Sequence, residues 1–262
     1  MLTLRTNDCD LHYTDEGPKD GAAVVFANSL GTDLRLWDAV LPHLSRGLRL
    51  IRYDKRGHGL SEAPAGPYQI EQLAEDAAGL IRGLGLRDVV FVGLSIGGLI
   101  AQSLALRHRD LLRGIVISNS AAKIGDPSMW EARIKAIDEG GIGAISATTM
   151  ERWFSPAFRA TPALGPWQRM MERQPQEGYI ACCRAIADAD FRDALGGLDL
   201  PVQLIGGALD GATPPELVRE TAALIPGAEY AQIEGAAHLP CVEAPGEYAA
   251  ILNAFLRRLD HV

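Results

Sequence analysis

Aromatic residues make up only 6% of this 262-residue chain, and cysteines number four. Cys9, Cys182, Cys183 and Cys241 are too few for a disulfide scaffold, and their spacing matches no metal-ligand pattern. Adjacent cysteines such as Cys182 and Cys183 rarely bridge each other, so the expectation is reduced thiols and no metal. An excess of positive charge is also missing. Lys and Arg total 25 against 33 Asp and Glu, a formal charge of −8. Such a surface repels nucleic acid and anionic lipid, so neither is an expected partner. An anionic substrate would have to be captured by a local cation. The N-terminal stretch MLTLRTNDCD has no cationic segment leading into an apolar one, so no export signal is visible and a cytoplasmic protein is expected. A long apolar run is wanting too. The longest uncharged stretch, Val89 to Leu106, only touches the lower limit for a membrane span. It carries Gly93, Ser95, Gly97, Gly98, Gln102 and Ser103, and reads as a buried strand turning into a buried helix. No internal repeat or low-complexity segment is present.

What is there is an ordinary globular composition, 47% apolar and 22% charged. Short apolar runs bounded by turn residues predict strands at Leu2–Arg5, Leu11–Tyr13, Ala23–Ala27, Leu48–Tyr53, Val89–Val92, Gly114–Ser118, Val202–Gly206 and Glu229–Ile233. Helical patterns fall at Leu34–Leu44, Ile70–Leu84, Ile96–Arg107, Pro215–Ile225 and Gly246–Leu259. Apolar strands alternating with helices predict an α/β fold with a mostly parallel eight-stranded sheet covered on both faces. The first two strands have no helix between them, which predicts an antiparallel hairpin at one edge. The alternation breaks once, between Ser118 and Val202. That insert reads as helical, with Asp126-Pro127 opening a helix and Gly140-Gly141 closing it. Emerging from the carboxyl end of a strand, it would lie over the ligand crevice of an open sheet. The expected organisation is a core domain of residues 1–120 and 195–262 with a helical cap at 121–194.

Gly93-Leu94-Ser95-Ile96-Gly97 follows a strand directly and precedes a helix directly. That context turns a loose Gly-x-Ser-x-Gly match into a nucleophile elbow, because the tight turn strains the serine and the glycines leave room for it. The plainer reading is a glycine-rich turn. A serine nucleophile needs a base and a group to orient the base. His238 and Asp210 each lie just past a predicted strand, on the same edge as Ser95, and the order Ser95, Asp210, His238 suits such a site. His43 and His108 are expected within helices, His12 in the edge hairpin and His261 in a frayed tail. His58, in Asp54-Lys55-Arg56-Gly57-His58-Gly59-Leu60-Ser61, is the rival base. That loop reads as structural, with Asp54 and Arg56 holding a turn. The backbone N–H groups of Ile96 and, by position, Leu30 would form an oxyanion hole.

These segments resemble the α/β-hydrolase family over the whole chain. Asn28-Ser29-Leu30-Gly31-Thr32, Arg52 to Gly59, Gly93 to Leu99, Glu151-Arg152-Trp153-Phe154 and Gly178 to Ile186 resemble one subgroup, the 3-oxoadipate enol-lactonases. Asn28 stands where that fold commonly has histidine; the oxyanion donor is backbone and survives the change. The resemblance implies a cofactor-free Ser95–His238–Asp210 hydrolase that opens a small carboxylate-bearing lactone in aromatic catabolism. Arg133, three residues after Trp130 on the first insert helix, is the candidate for that carboxylate, with a solvated helix arginine as its plain alternative. Trp130 and Trp153 are candidate pocket walls, although a tryptophan there is also ordinary core, as are Met150, Met170 and Met171. The apolar insert could support self-association. Rival activities are a general carboxylesterase, a carbon–carbon bond hydrolase of ring-cleavage products, or a non-enzymatic small-molecule receptor of the same fold.

Overall fold

Strand order in the sheet is β1-β2-β4-β3-β5-β6-β7-β8 in the computed structural model, which describes residues 1–262. The strands are β1 (Leu2–Thr6), β2 (Cys9–Glu16), β3 (Ala23–Ala27), β4 (Arg49–Tyr53), β5 (Val89–Leu94), β6 (Leu112–Ser118), β7 (Val202–Gly207) and β8 (Glu229–Ile233). β1 and β2 form the antiparallel edge hairpin, and β2 pairs antiparallel with β4. From β4 to β8 every neighbouring pair is parallel. β3 and β5 are buried along their full length, as their unbroken apolar sequences require of strands covered on both faces.

Helices α1 (Ile70–Gly83) and α2 (Ile96–Arg107) pack on each other, and α2 lies on β3, β5 and β6. The uncharged stretch from Val89 is therefore β5 followed by α2, and no helix is long and apolar enough to cross a membrane. Five helices fall between β6 and β7: α3 (Pro127–Gly140), α4 (Ser146–Trp153), α5 (Pro156–Arg159), α6 (Leu164–Glu172) and α7 (Gln176–Asp188). Asp126 caps α3 by accepting from the Met129 N–H, and Gly141 ends it with φ 70°. α8 (Pro215–Ala223), α9 (Pro240–Glu243) and α10 (Pro245–Arg258) complete the chain.

One expected helix does not form. Leu34–Leu44 is instead two short 3₁₀ turns, Leu34–Trp37 and Leu41–His43. Pro42 has no N–H to continue an α-helical ladder, and the buried Trp37 ring anchors the first turn against Phe26, 5.0 Å away between centroids. His261 is also not in a frayed tail: it is buried, and its Nε2 lies 2.9 Å from the Ala23 carbonyl. That bond ties the C-terminus to the start of β3.

The insert is tied to the carboxyl edge of the sheet at several points. Gln174 accepts from the Gly59 N–H at 2.8 Å, Glu243 accepts from the Ser155 N–H at 3.0 Å, and the Leu239 N–H donates to Trp153 at 3.2 Å. The tightest approach is backbone on backbone. A Cβ at Gly178 of α7 would sit 2.4 Å from Gly57 Cα. Helix propensity alone would favour Gly178→Ala by about 1 kcal/mol. The clash is with main chain, which cannot swing away, so the contact should win. Gly178→Ala is expected to destabilise the protein by about 1–3 kcal/mol in urea unfolding; a gain in stability would show that α7 can move off the loop.

Candidate active site

Six parallel strands end on one edge, and the loops leaving them hold the candidate residues Ser95, Asp210 and His238. Ser95 sits between β5 and α2 with φ 58° and ψ −117°, outside the conformations an L-residue adopts without strain. Its neighbours explain why the turn can be this tight. A Cβ on Gly93 would lie 1.9 Å from the Gly97 carbonyl oxygen, and one on Gly97 would lie 2.3 Å from the Ala27 oxygen. The Ser95 N–H donates to Ser118 at 2.9 Å, and its carbonyl accepts from Ser120 Oγ at 2.7 Å. The backbone is thus held while the hydroxyl faces a cavity.

His238 lies five residues beyond β8 and Asp210 three residues beyond β7, both almost wholly buried. Nδ1 of His238 is 2.9 Å from Asp210 Oδ2. Asp210 also accepts from Asn119 Nδ2 at 2.9 Å, Thr213 Oγ1 at 2.7 Å, and the N–H groups of Ala212 and Thr213 at 2.7 and 2.9 Å. Burial alone would push its carboxyl up. The imidazole of His238 and these donors outweigh that and hold it below the ordinary aspartate value, so Asp210 stays ionised. An ionised acceptor requires His238 to carry its proton on Nδ1, which leaves the Nε2 lone pair free to take a proton.

Ser95 and His238 line one cavity of about 360 Å³, a volume suited to a small molecule. Leu30, Trp130, Arg133 and Trp153 line it too, so the structure brings together side chains from the sheet edge and from α3 and α4. The Leu30 and Ile96 N–H groups, from the β3 loop and the first residue of α2, have no acceptor within the protein. Such free amides can stabilise an oxyanion. Trp130 donates from Nε1 to the Ile124 carbonyl at 2.8 Å, which fixes its ring. Arg133 Nη2 donates to Thr149 Oγ1 at 2.9 Å and Tyr179 OH at 2.6 Å, and its buried Nε has no partner. No carboxylate pairs with it. Burial pushes the Tyr179 phenol up to about 12, so the partner it does have is neutral. The guanidinium charge at the cavity wall is therefore uncompensated.

The rival base is elsewhere. His58 is fully buried, and its Nε2 accepts from the Gly31 N–H at 2.9 Å. Asp54 accepts from the N–H groups of Leu34 at 2.7 Å and Leu60 at 2.9 Å, and Arg56 pairs with Asp76 at 2.5 Å and Asp8 at 2.8 Å. This loop is internal scaffolding. Asn28 is accounted for as well: it donates to the Tyr53 carbonyl and accepts from Trp37 Nε1, at 2.9 and 2.8 Å. His12 is engaged with Asp54 at 2.8 Å, His43 sits in a 3₁₀ turn, and His108 directly follows α2. Met150 and Met171 are buried core, and Met170 is half-buried. Sequence reasoning missed Asn119, Thr213, Thr149 and Tyr179. Only Asn119 had a signal: the polar Ser118-Asn119-Ser120 ends an apolar strand where the other functional loops begin.

Residues 24–251 match the alpha/beta hydrolase family. The chain is 34% identical to 3-oxoadipate enol-lactonase 2 of Acinetobacter baylyi, covering 98% of this chain and 97% of that protein, and 31% identical to enol-lactonase 1 of the same organism, covering 99% and 97%. The crystal structure of an enol-lactonase from Burkholderia xenovorans superposes with a TM-score of 0.94 at 36% identity, over 98% of this chain and all of that one.

His58 has a measurable consequence for stability. Burial, reinforced by the Lys55 charge, holds its imidazole well below 6.5. The unfolded chain then binds a proton that the folded protein refuses, so stability falls as pH drops below about 6.5, by at most about 1.4 kcal/mol per pH unit. Urea unfolding between about pH 7.5 and pH 5 should show a shallower decline in His58→Asn than in the unsubstituted protein. Parallel declines would mean that His58 is protonated in the fold and cannot accept from Gly31.

Proposed function

The chain belongs to the α/β hydrolase family, and on that footing we propose that it is a serine hydrolase that opens 3-oxoadipate enol-lactone to 3-oxoadipate in the breakdown of aromatic compounds. The observation that carries the substrate assignment is the uncompensated Arg133 on the wall of the cavity that holds Ser95 and His238. A lactone bearing a carboxylate matches both ends of that cavity: a carbonyl for the serine and an anion for the guanidinium. The full-length similarity to enol-lactonases supports the same substrate.

In this mechanism His238 Nε2 takes the Ser95 proton as Oγ attacks the lactone carbonyl. The Leu30 and Ile96 N–H groups receive the oxyanion, each such donor contributing about 3–4 kcal/mol at the transition state. Collapse breaks the ring C–O bond and expels an enolate, which takes the proton from the His238 imidazolium and tautomerises to a ketone. An enolate leaves more readily than an ordinary alkoxide. Water, deprotonated by the neutral His238, then cleaves the acyl–Ser95 ester, and the imidazolium returns that proton to the departing Ser95 Oγ. Asp210 stabilises the imidazolium formed in each half-reaction and keeps Nε2 turned to the cavity. Residues 121–194 act as the cap that supplies Arg133, and 1–120 with 195–262 as the core that supplies the serine, base and acid.

Loss of lactone absorbance in the ultraviolet, beside hydrolysis of a neutral nitrophenyl ester, tests this directly. Ser95→Ala should lower kcat on both by about four orders of magnitude or more, and retained turnover would remove Ser95 as nucleophile. Arg133→Ala should raise KM for the lactone about 10- to 100-fold, the worth of a charge-assisted bond, while sparing the ester. Equal losses on both would defeat the carboxylate assignment, and fast ester cleavage beside slow lactone opening would leave a general esterase.

A further inference from the structure

Lys55 is a buried cation that takes no part in the proposed proton transfers. It is 2% exposed, forms no ion pair, and donates from Nζ to the Ser29 carbonyl at 2.7 Å. A buried ammonium without a carboxylate costs stability, so its retention calls for a reason beyond packing. Its position follows from the sheet. β3 and β4 pair in parallel with Ala27 opposite Tyr53, and continuing that register two residues past the strand ends sets Ser29 opposite Lys55.

The Ser29 carbonyl and the Leu30 N–H belong to one peptide group. Resonance couples the two: a cation bound to the carbonyl oxygen draws electron density from nitrogen and makes the N–H more positive. We infer that Lys55 is a positioning and polarising residue that strengthens the Leu30 N–H as an oxyanion donor through the Ser29–Leu30 peptide. The neighbouring peptide is held from the same loop, since His58 Nε2 accepts from the Gly31 N–H at 2.9 Å. Leu30 is thus fixed on both sides by side chains that follow β4. The inference rests on the assignment of Leu30 as an oxyanion donor.

The groups within electrostatic reach of Lys55 are Asp33, Asp54, Cys182 and His58. Cys182, on α7, is pushed up to about 12 by burial, and His58 is held neutral, so neither changes charge between neutral and mildly alkaline pH. Burial brings the Lys55 ammonium down to about 8, against which Asp33 and Asp54 pull it up. The active form is the ammonium, so kcat should fall as pH rises through that value.

The test uses the nitrophenyl ester, which needs the oxyanion hole but not the lactone. The unsubstituted protein should lose kcat above about pH 8. Lys55→Met, neutral and similar in length, should lower kcat at pH 7 about 10- to 100-fold with KM within about threefold, and should lack the alkaline limb. Lys55→Arg should recover part of kcat and also lack the limb, because its charge does not titrate. Thermal melting of each variant verifies the fold, and the unsubstituted protein's own profile tests the idea without any substitution. A flat profile to pH 9, or kcat of folded Lys55→Met within about twofold of the parent, would overturn the inference. Replacing the Leu30 amide by an ester, through the α-hydroxy acid of leucine, separates the two layers. Loss of kcat there, with Lys55→Met adding less than about threefold on top, is the expected coupling. An amide-to-ester change without effect would remove Leu30 as donor. A loss at Leu30 that leaves the Lys55→Met effect undiminished would keep the donor and overturn the coupling.

Discussion

Where six parallel strands stop, their backbone groups lose partners within the sheet while the helical insert keeps much of that edge from water. Every polar group there must be satisfied by something local. The structure meets this with a set of buried side chains, one to three per loop: Asn28 after β3, Asp54, Lys55 and His58 after β4, Asn119 after β6, Asp210 and Thr213 after β7. Each binds backbone or another loop, so the loops are locked to one another as well as to their strands. A base of this rigidity holds Ser95 at its strained φ of 58°.

That requirement also explains the division of labour between two histidines that look alike in sequence. His58 and His238 are both buried and both follow strands of the parallel sheet. His58 has a backbone N–H on its Nε2, with Lys55 nearby, and this environment keeps it neutral and occupied. His238 has the ionised Asp210 on Nδ1 and an open cavity on the other side. A carboxylate behind the ring holds the proton on Nδ1 and leaves Nε2 open; a donor in front of Nε2 occupies it. The difference between an occupied imidazole and an open one lies in these neighbours.

The central strands β3, β5 and β7 are legible because each is a short, mainly apolar run, and burial on both faces leaves little room for any other pattern. The Ser95 turn was readable because glycine is required on both sides of it by steric contact. The helix expected at Leu34–Leu44 failed because Pro42 and the Trp37 anchor act through the third dimension or through a missing N–H that periodicity ignores. His261 seemed loose because a chain end carries no pattern, yet one bond to Ala23 holds it. Tyr179 and Thr149 could not be paired with Arg133 in advance, since 46 and 16 residues separate them along the chain.

Local chemistry and chain order dictate the parallel sheet, the strained serine and the succession of Ser95, Asp210 and His238 past three strand ends. These depend on sterics and hydrogen bonding among residues a few positions apart, or on strands whose pairing follows from being apolar. Tertiary packing decides the rest: which histidine is free, that Arg133 is buried at the cavity wall with no carboxylate beside it, and which lysine sits against the peptide that carries Leu30. Those outcomes hang on distances of about 3 Å between segments far apart in sequence, and charge and proton occupancy are set at that range.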